Sequence, residues 1–107
     1  MTVSAARTTT ENQLLEAVRG YAKLTGWLTY HTHDSRRSEP GFPDLVMVRG
    51  GRLIFAELKR EGGNPTPEQR IWLAELGDVG RYSLGNVRCY LWKPSDWLNG
   101  DIEAVLR

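Results

Sequence analysis

Residues 41–59 read GFPDLVMVRGGRLIFAELK. Two apolar runs, PDLVMVR and RLIFAELK, meet at Gly50-Gly51, a dipeptide that takes the positive φ angles of a two-residue hairpin turn without steric cost. A turn there pairs residue 49 with 52, 46 with 55 and 44 with 57. Asp44 then stands opposite Glu57, with their Cβ atoms roughly 5 Å apart. Lys59, two residues on, shares that face because side chains alternate along a strand. Between them the hairpin is apolar on both faces: Leu45, Val46, Met47 and Val48 answer Leu53, Ile54, Phe55 and Ala56. Two carboxylates and a lysine therefore gather at its open end, where like charges need something to hold them. A hard divalent cation does this, since Mg²⁺ is commonly bound by one or two carboxylates plus waters and phosphate oxygens. An ion pair of Lys59 with either acid, closing an ordinary hairpin, is the other account, and the hairpin alone does not separate the two.

The bulk of the chain narrows the field. Its 107 residues are 40% hydrophobic and 25% charged with a net charge of +1, so a nucleic-acid partner has to be argued from local charge. One domain over 1–107 is expected, with residues 1–9 a frayed lead-in. Cys89 is the only cysteine, which excludes an intrachain disulfide and suggests a reducing compartment. No apolar run reaches the length of a membrane span and no signal-peptide core is present, so a cytoplasmic protein is expected.

Outward from the hairpin, TENQ at Thr10–Gln13 fits a capping box, and a helix follows to about Thr25, ended by Gly26. At about 100° per residue, Leu14, Leu15, Val18, Tyr21 and Ala22 form one stripe. Glu11 falls near its middle and Glu16 on the opposite side, so Glu11 is expected to point toward the core. Trp27 to His31 reads as a strand, leading into a polar loop with His33, Arg36 and Arg37. The H-x-H spacing of His31 and His33 lacks the further ligands of a zinc site. TPEQ at Thr66–Gln69 is a second capping box with proline at the first helical position. This helix is expected to stop at Gly77, with Gln69 facing inward or simply closing its own box. Asp78 to Asn86 reads as a loop, Val87 to Lys93 as a strand ended by Pro94, and Asp101 to Leu106 as a short helix. The order αβββαβ makes an α/β domain with a four-stranded mixed sheet flanked by helices.

The string YHTHDSRRSEPGFPDLVMVRGGRLIFAELK, followed by TPEQ and a late WKPSDW, resembles the VRR-NUC branch of the PD-(D/E)xK nucleases, and within it the small stand-alone phage members. Pro43-Asp44 and Glu57-Leu58-Lys59 match the two halves of that motif, and the likeness runs from Glu11 to Trp97. It departs at His33, where arginine is expected, and in a longer 78–86 loop. The resemblance implies a restriction-endonuclease-like core and a Mg²⁺-dependent endodeoxyribonuclease, with Mn²⁺ able to substitute, leaving 5′-phosphate and 3′-hydroxyl ends. Asp44, Glu57 and the Leu58 carbonyl would be metal ligands, with Glu11 completing the acidic set directly or through a water. Lys59 would orient or help deprotonate the attacking water, and Gln69 would position Lys59 or the nucleophile. His33, Arg36, Arg37 and Arg60 would contact DNA. Branched DNA of the Holliday-junction type is the expected substrate. Flap or duplex DNA, and a non-catalytic DNA-binding module, are the alternatives. Two matched incisions of a junction call for a C₂ homodimer, for which four tryptophans (Trp27, Trp72, Trp92, Trp97) offer candidate anchors.

Overall fold

The computed structural model describes residues 3–32 and 37–107. Helix α1 (Val3–Thr8) and α2 (Glu11–Leu24) lead into strands β1 (Leu28–His31), β2 (Leu45–Arg49) and β3 (Arg52–Leu58). Helix α3 (Pro67–Arg81) crosses to β4 (Val87–Trp92), and α4 (Pro94–Leu98) and α5 (Asp101–Leu106) close the chain. The sheet order is β1-β2-β3-β4, antiparallel except for the β3–β4 pair, which is parallel because α3 carries the chain back across the sheet. This is the four-stranded mixed α/β sheet that the element order implied.

The hairpin has the expected register, with Arg49 paired to Arg52, Val46 to Phe55 and Leu45 to Ala56. Gly50 and Gly51 have φ of 56° and 80°, both positive as a type I′ turn requires. One sheet face (Leu45, Met47, Ile54, Ala56, Leu58) is buried against Leu14, Val18 and Ala22 of α2 and Ile102 and Leu106 of α5. On the other face Phe42 packs edge-on to Phe55 and to Trp72 of α3, with ring centroids 6.1 and 5.1 Å apart. Both capping boxes form: Thr10 with Gln13, and Thr66 with Gln69.

The GFPD segment acquires a physical account here. Gly41 has φ of 89°, and a Cβ there would lie 2.5 Å from the backbone carbon and oxygen of Glu68 at the start of α3. Phe42 wedges between sheet and helix, and Pro43 is fully buried. Asp44 is thereby set at the sheet end, its carbonyl accepting from the Thr32 amide at 3.1 Å. Gly41→Ala is expected to destabilise the fold by about 2–4 kcal/mol, combining a left-handed backbone with a backbone clash. Gly50→Ala, where nothing lies within 4 Å of the new Cβ, should cost only about 1 kcal/mol. Urea unfolding of both variants checks this, and equal losses would rule out the Gly41–α3 contact as the cause.

Three expectations are corrected. Residues 3–8 form a helix rather than a frayed lead-in, because Ala6 is buried and α1 packs on α4. Helix α3 does not stop at Gly77 but runs to Arg81, so the supposed long 78–86 loop is helical over its first four residues and a turn over 82–86. Gly80 serves close packing there, since a Cβ would sit 3.0 Å from the Val87 carbonyl oxygen. After β4 the chain forms α4 directly, with Asp96 Oδ2 accepting from the Lys93 amide at 2.8 Å.

The tryptophans are also engaged internally. Trp27 and Trp92 are buried, and Trp27 donates to the Leu106 carbonyl at 2.9 Å. Trp72 meets Phe42, and Trp97 meets Tyr21 edge-on at 6.1 Å. Trp27 and Trp92 belong to the core and Trp97 packs against it, while Trp72 is half-buried on α3.

Candidate active site

Asp44 continues the hairpin register one residue beyond β2 and so faces Glu57, as the turn predicted. Its Oδ2 accepts from the Leu58 amide at 2.8 Å. Glu57 is the only charged residue buried in the core among the described residues, with 2% exposure. Lys59 Nζ lies 3.7 Å from Glu57 Oε2, and its side chain is itself largely covered. The three groups of the open end are therefore together.

The ion pair does not balance this cluster. Glu57 Oε1 is buried with no hydrogen-bond partner. Burial first, and then the charge of Asp44, push the Glu57 carboxyl from its ordinary 4.5 up to about 8, against the pull of Lys59. Asp44 is raised too, chiefly by burial; the Leu58 amide and Lys59 oppose the rise and the charge of Glu11 adds to it. A buried Glu57 and a half-buried Asp44 facing one lysine are short of positive charge among the described residues. An orphaned carboxylate oxygen beside a second carboxylate fits a divalent cation bound through oxygen.

Glu11 is placed differently from expectation. It is exposed rather than aimed into the core, at the first position of α2, ahead of the first buried residue of that helix, Leu14. It nonetheless lines a cavity of about 180 Å³ together with Asn12, Leu15, Asp44 and Leu58. Among the described residues no three His, Cys, Asp or Glu side chains gather as a ready-made cage. The arrangement is a half-site of two acids, with Glu11 on its rim. Glu16 points away and pairs with Arg19 at 3.6 Å. Glu11→Gln should slow DNA cleavage at least about tenfold while Glu16→Gln leaves it unchanged. Equal losses in a single-turnover assay would show that the cavity is not part of the site.

Gln69 closes its own capping box: its Oε1 accepts from the Thr66 amide at 2.8 Å. Its side-chain amide N–H groups are what it retains to offer a neighbour. Arg37 and Arg60 are exposed at the surface. His33 and Arg36 lie outside the described residues, as does the part of the loop between them. Asn12, which shares the cavity, was not singled out from the sequence; its position next to Glu11 at the helix start was the available signal.

A mixed sheet flanked by helices, with Asp44, a buried Glu57 and Lys59 at one sheet end, is compatible with a restriction-endonuclease-like core. The model of the VRR-NUC domain family matches residues 2–88, and the chain belongs to that family. Its function is accordingly of the nuclease, DNA-processing type. Comparison with curated proteins finds no match, and comparison with solved structures finds none either. No helix among the described residues is long and apolar enough to cross a membrane.

Proposed function

We propose that this domain is a divalent-cation-dependent DNA endonuclease that hydrolyses phosphodiester bonds in branched DNA of the four-way-junction type. The observation that carries the cation dependence is the buried Glu57, unpaired at Oε1 and held against Asp44 with only Lys59 to compensate. Asp44, Glu57 and the Leu58 carbonyl would hold Mg²⁺, or Mn²⁺ in its place. When bound, the cation supplies Lewis-acid charge toward the phosphate and acidifies water. Lys59 holds the attacking water and stabilises negative charge as it develops on the phosphoryl oxygens, in a site where low solvent exposure strengthens its field. The Leu58 amide keeps the Asp44 carboxylate oriented, and Glu11 restrains the approach of phosphate to the cavity between α2 and the sheet end. Gln69 has only its amide N–H groups to direct toward Lys59 or the nucleophile.

A pure binding module gains nothing from holding two acids, one of them buried, where phosphates approach, so catalysis is the stronger reading. Incubation of labelled four-way junction, flap and duplex DNA with Mg²⁺, Mn²⁺ or EDTA tests it. Junction cleavage that EDTA abolishes supports the proposal. Preferential cutting of flap or duplex replaces the substrate, and no cutting of any DNA with either metal overturns the activity.

Two matched incisions at a junction further suggest a symmetric homodimer, acting in a reducing cytoplasm, that of a bacterial host if the protein is phage-encoded. With Trp27 and Trp92 committed to the core, this rests chiefly on the symmetry of the substrate. Sedimentation at micromolar concentration should give twice the chain mass of 12.1 kDa. A monomer that nicks one strand per encounter would favour a flap or nicking nuclease.

A further inference from the structure

A second concavity lies beside the acid-bearing one. It has a volume of about 350 Å³ and is lined by Arg7, Arg60, Glu61 and Gly62. Its lining residues lie a few positions along the chain from those of the acid site. Arg7, in the last turn of α1, precedes Glu11 and Asn12 across the Thr9-Thr10 corner, and Arg60 follows Leu58 and Lys59 at the end of β3.

The cleft is built on fixed backbone. Ala6 is buried and anchors α1, which packs on α4. The turn after β3 is closed by the Gly63 amide donating to the Arg60 carbonyl at 2.9 Å, and Gly63 is so close that a Cβ would lie 3.2 Å from Arg60 Cγ. Glu61, the one acid in the cleft, is already engaged: its Oε1 accepts from the Ser95 amide of α4 at 3.0 Å. Neither Arg7 nor Arg60 forms an ion pair with a described residue, whereas Arg19 and Arg81 each have a carboxylate. Two uncommitted guanidinium groups thus face one concavity whose only acid is occupied elsewhere.

We propose that the Arg7–Arg60 cleft is a phosphate subsite that grips the DNA backbone next to the bond held at Asp44 and Glu57. This rests on the nuclease reading above. A guanidinium presents paired N–H donors that match phosphate oxygens, and contacts of this kind set the register of a nucleic-acid strand without reading its bases. Arg7 and Arg60, approaching from opposite walls, clamp one phosphate, so that the strand enters the acid site in one register. The N-terminal helix is on this account part of the substrate-binding surface.

The test measures binding of a fluorescein-labelled four-way junction in EDTA across salt concentrations, together with single-turnover cleavage in Mg²⁺. Arg7→Ala and Arg60→Ala are each expected to weaken binding about tenfold and to lower the salt slope by about one contact. Arg7→Lys should recover the slope but only part of the affinity, since a point charge replaces a fork. Arg88→Ala removes the same charge at the opposite end of the sheet and should bind like wild type. Melting temperatures of all variants are read alongside, and Arg60→Ala leaves α1 intact should Arg7→Ala loosen it. Wild-type binding and slope in both Arg7→Ala and Arg60→Ala, while the wild-type protein binds and cuts, would overturn the cleft alone. Equal losses in Arg88→Ala would overturn it too, by showing a diffuse charge effect. A wild-type protein that neither binds nor cuts would overturn the nuclease reading itself and the cleft with it.

Discussion

Asp44→Asn and Glu57→Gln should each reduce single-turnover cleavage by roughly a thousandfold or more, with DNA binding in EDTA nearly intact. The size follows from what each change removes. Either substitution deletes one of only two acidic side chains available to a cation at this site, and with it the positive charge that offsets the developing phosphate charge. Neither change alters side-chain shape appreciably, so the core around Leu58 and Ile54 should remain packed. The Leu58 amide loses a charged acceptor in Asp44→Asn but keeps a neutral oxygen to donate to. Glu57→Gln leaves the Lys59 ammonium without its carboxylate at 3.7 Å. A rate near wild type in either variant would remove the acid pair from the chemistry.

The second large effect concerns stability and pH in the absence of metal. Glu57 has an ordinary value of 4.5 and is pushed up to about 8 in the fold, so the folded protein keeps a proton there that the unfolded chain has already released. A state that binds more protons loses ground as protons become scarce. The metal-free fold should therefore be most stable with respect to this group below about pH 4.5 and lose stability steadily until about pH 8, levelling off beyond. Asp44 is shifted in the same direction and steepens the loss. Glu57→Gln removes this dependence and should raise the melting temperature in EDTA at pH 8 by about 5 °C or more, with little change at pH 5. Mg²⁺ should stabilise the wild-type protein more at pH 8 than at pH 5, since it favours the ionised acids. Melting curves from pH 5 to 8.5, with and without EDTA, decide it. A wild-type-minus-variant difference that stays constant or reverses across that range would contradict the burial of an unbalanced acid pair.

These effects bear on why the ion pair alone does not explain the hairpin end. Lys59 meets Glu57, as a simple closing salt bridge would have it, but one lysine cannot satisfy two acids away from water. The cost of keeping both acids there, rather than one acid and one lysine, is an arrangement that makes sense when a further cation and a phosphate complete it. The Gly41 approach to α3 adds to this. It ties the backbone leading into Asp44 to the start of the helix that carries Gln69, so that the acid is positioned by the sheet on one side and by a helix on the other.

Much of this was written locally in the chain. Two apolar runs joined by Gly-Gly determine the hairpin, and its turn type sets the register that brings Asp44 opposite Glu57. The capping boxes at Thr10 and Thr66 are likewise local, because each needs only four consecutive residues. What tertiary structure decided depended on contacts between distant segments. Helix α1 has no periodicity to announce it, so its existence, and the cleft it forms with Arg60, follow from burial of Ala6 and docking on α4. Gly77 looked like a stop because glycine favours a helix end when considered alone, yet packing of α3 over β4 carries the helix four residues further. The helical stripe put Glu11 in line with the core, but the tertiary structure leaves it exposed, lining a cavity with Asp44 and Leu58. The number of carboxylates was legible from the sequence; that Glu57 is buried beside Asp44 beyond what Lys59 can balance was not, because burial is a property of everything packed around a residue.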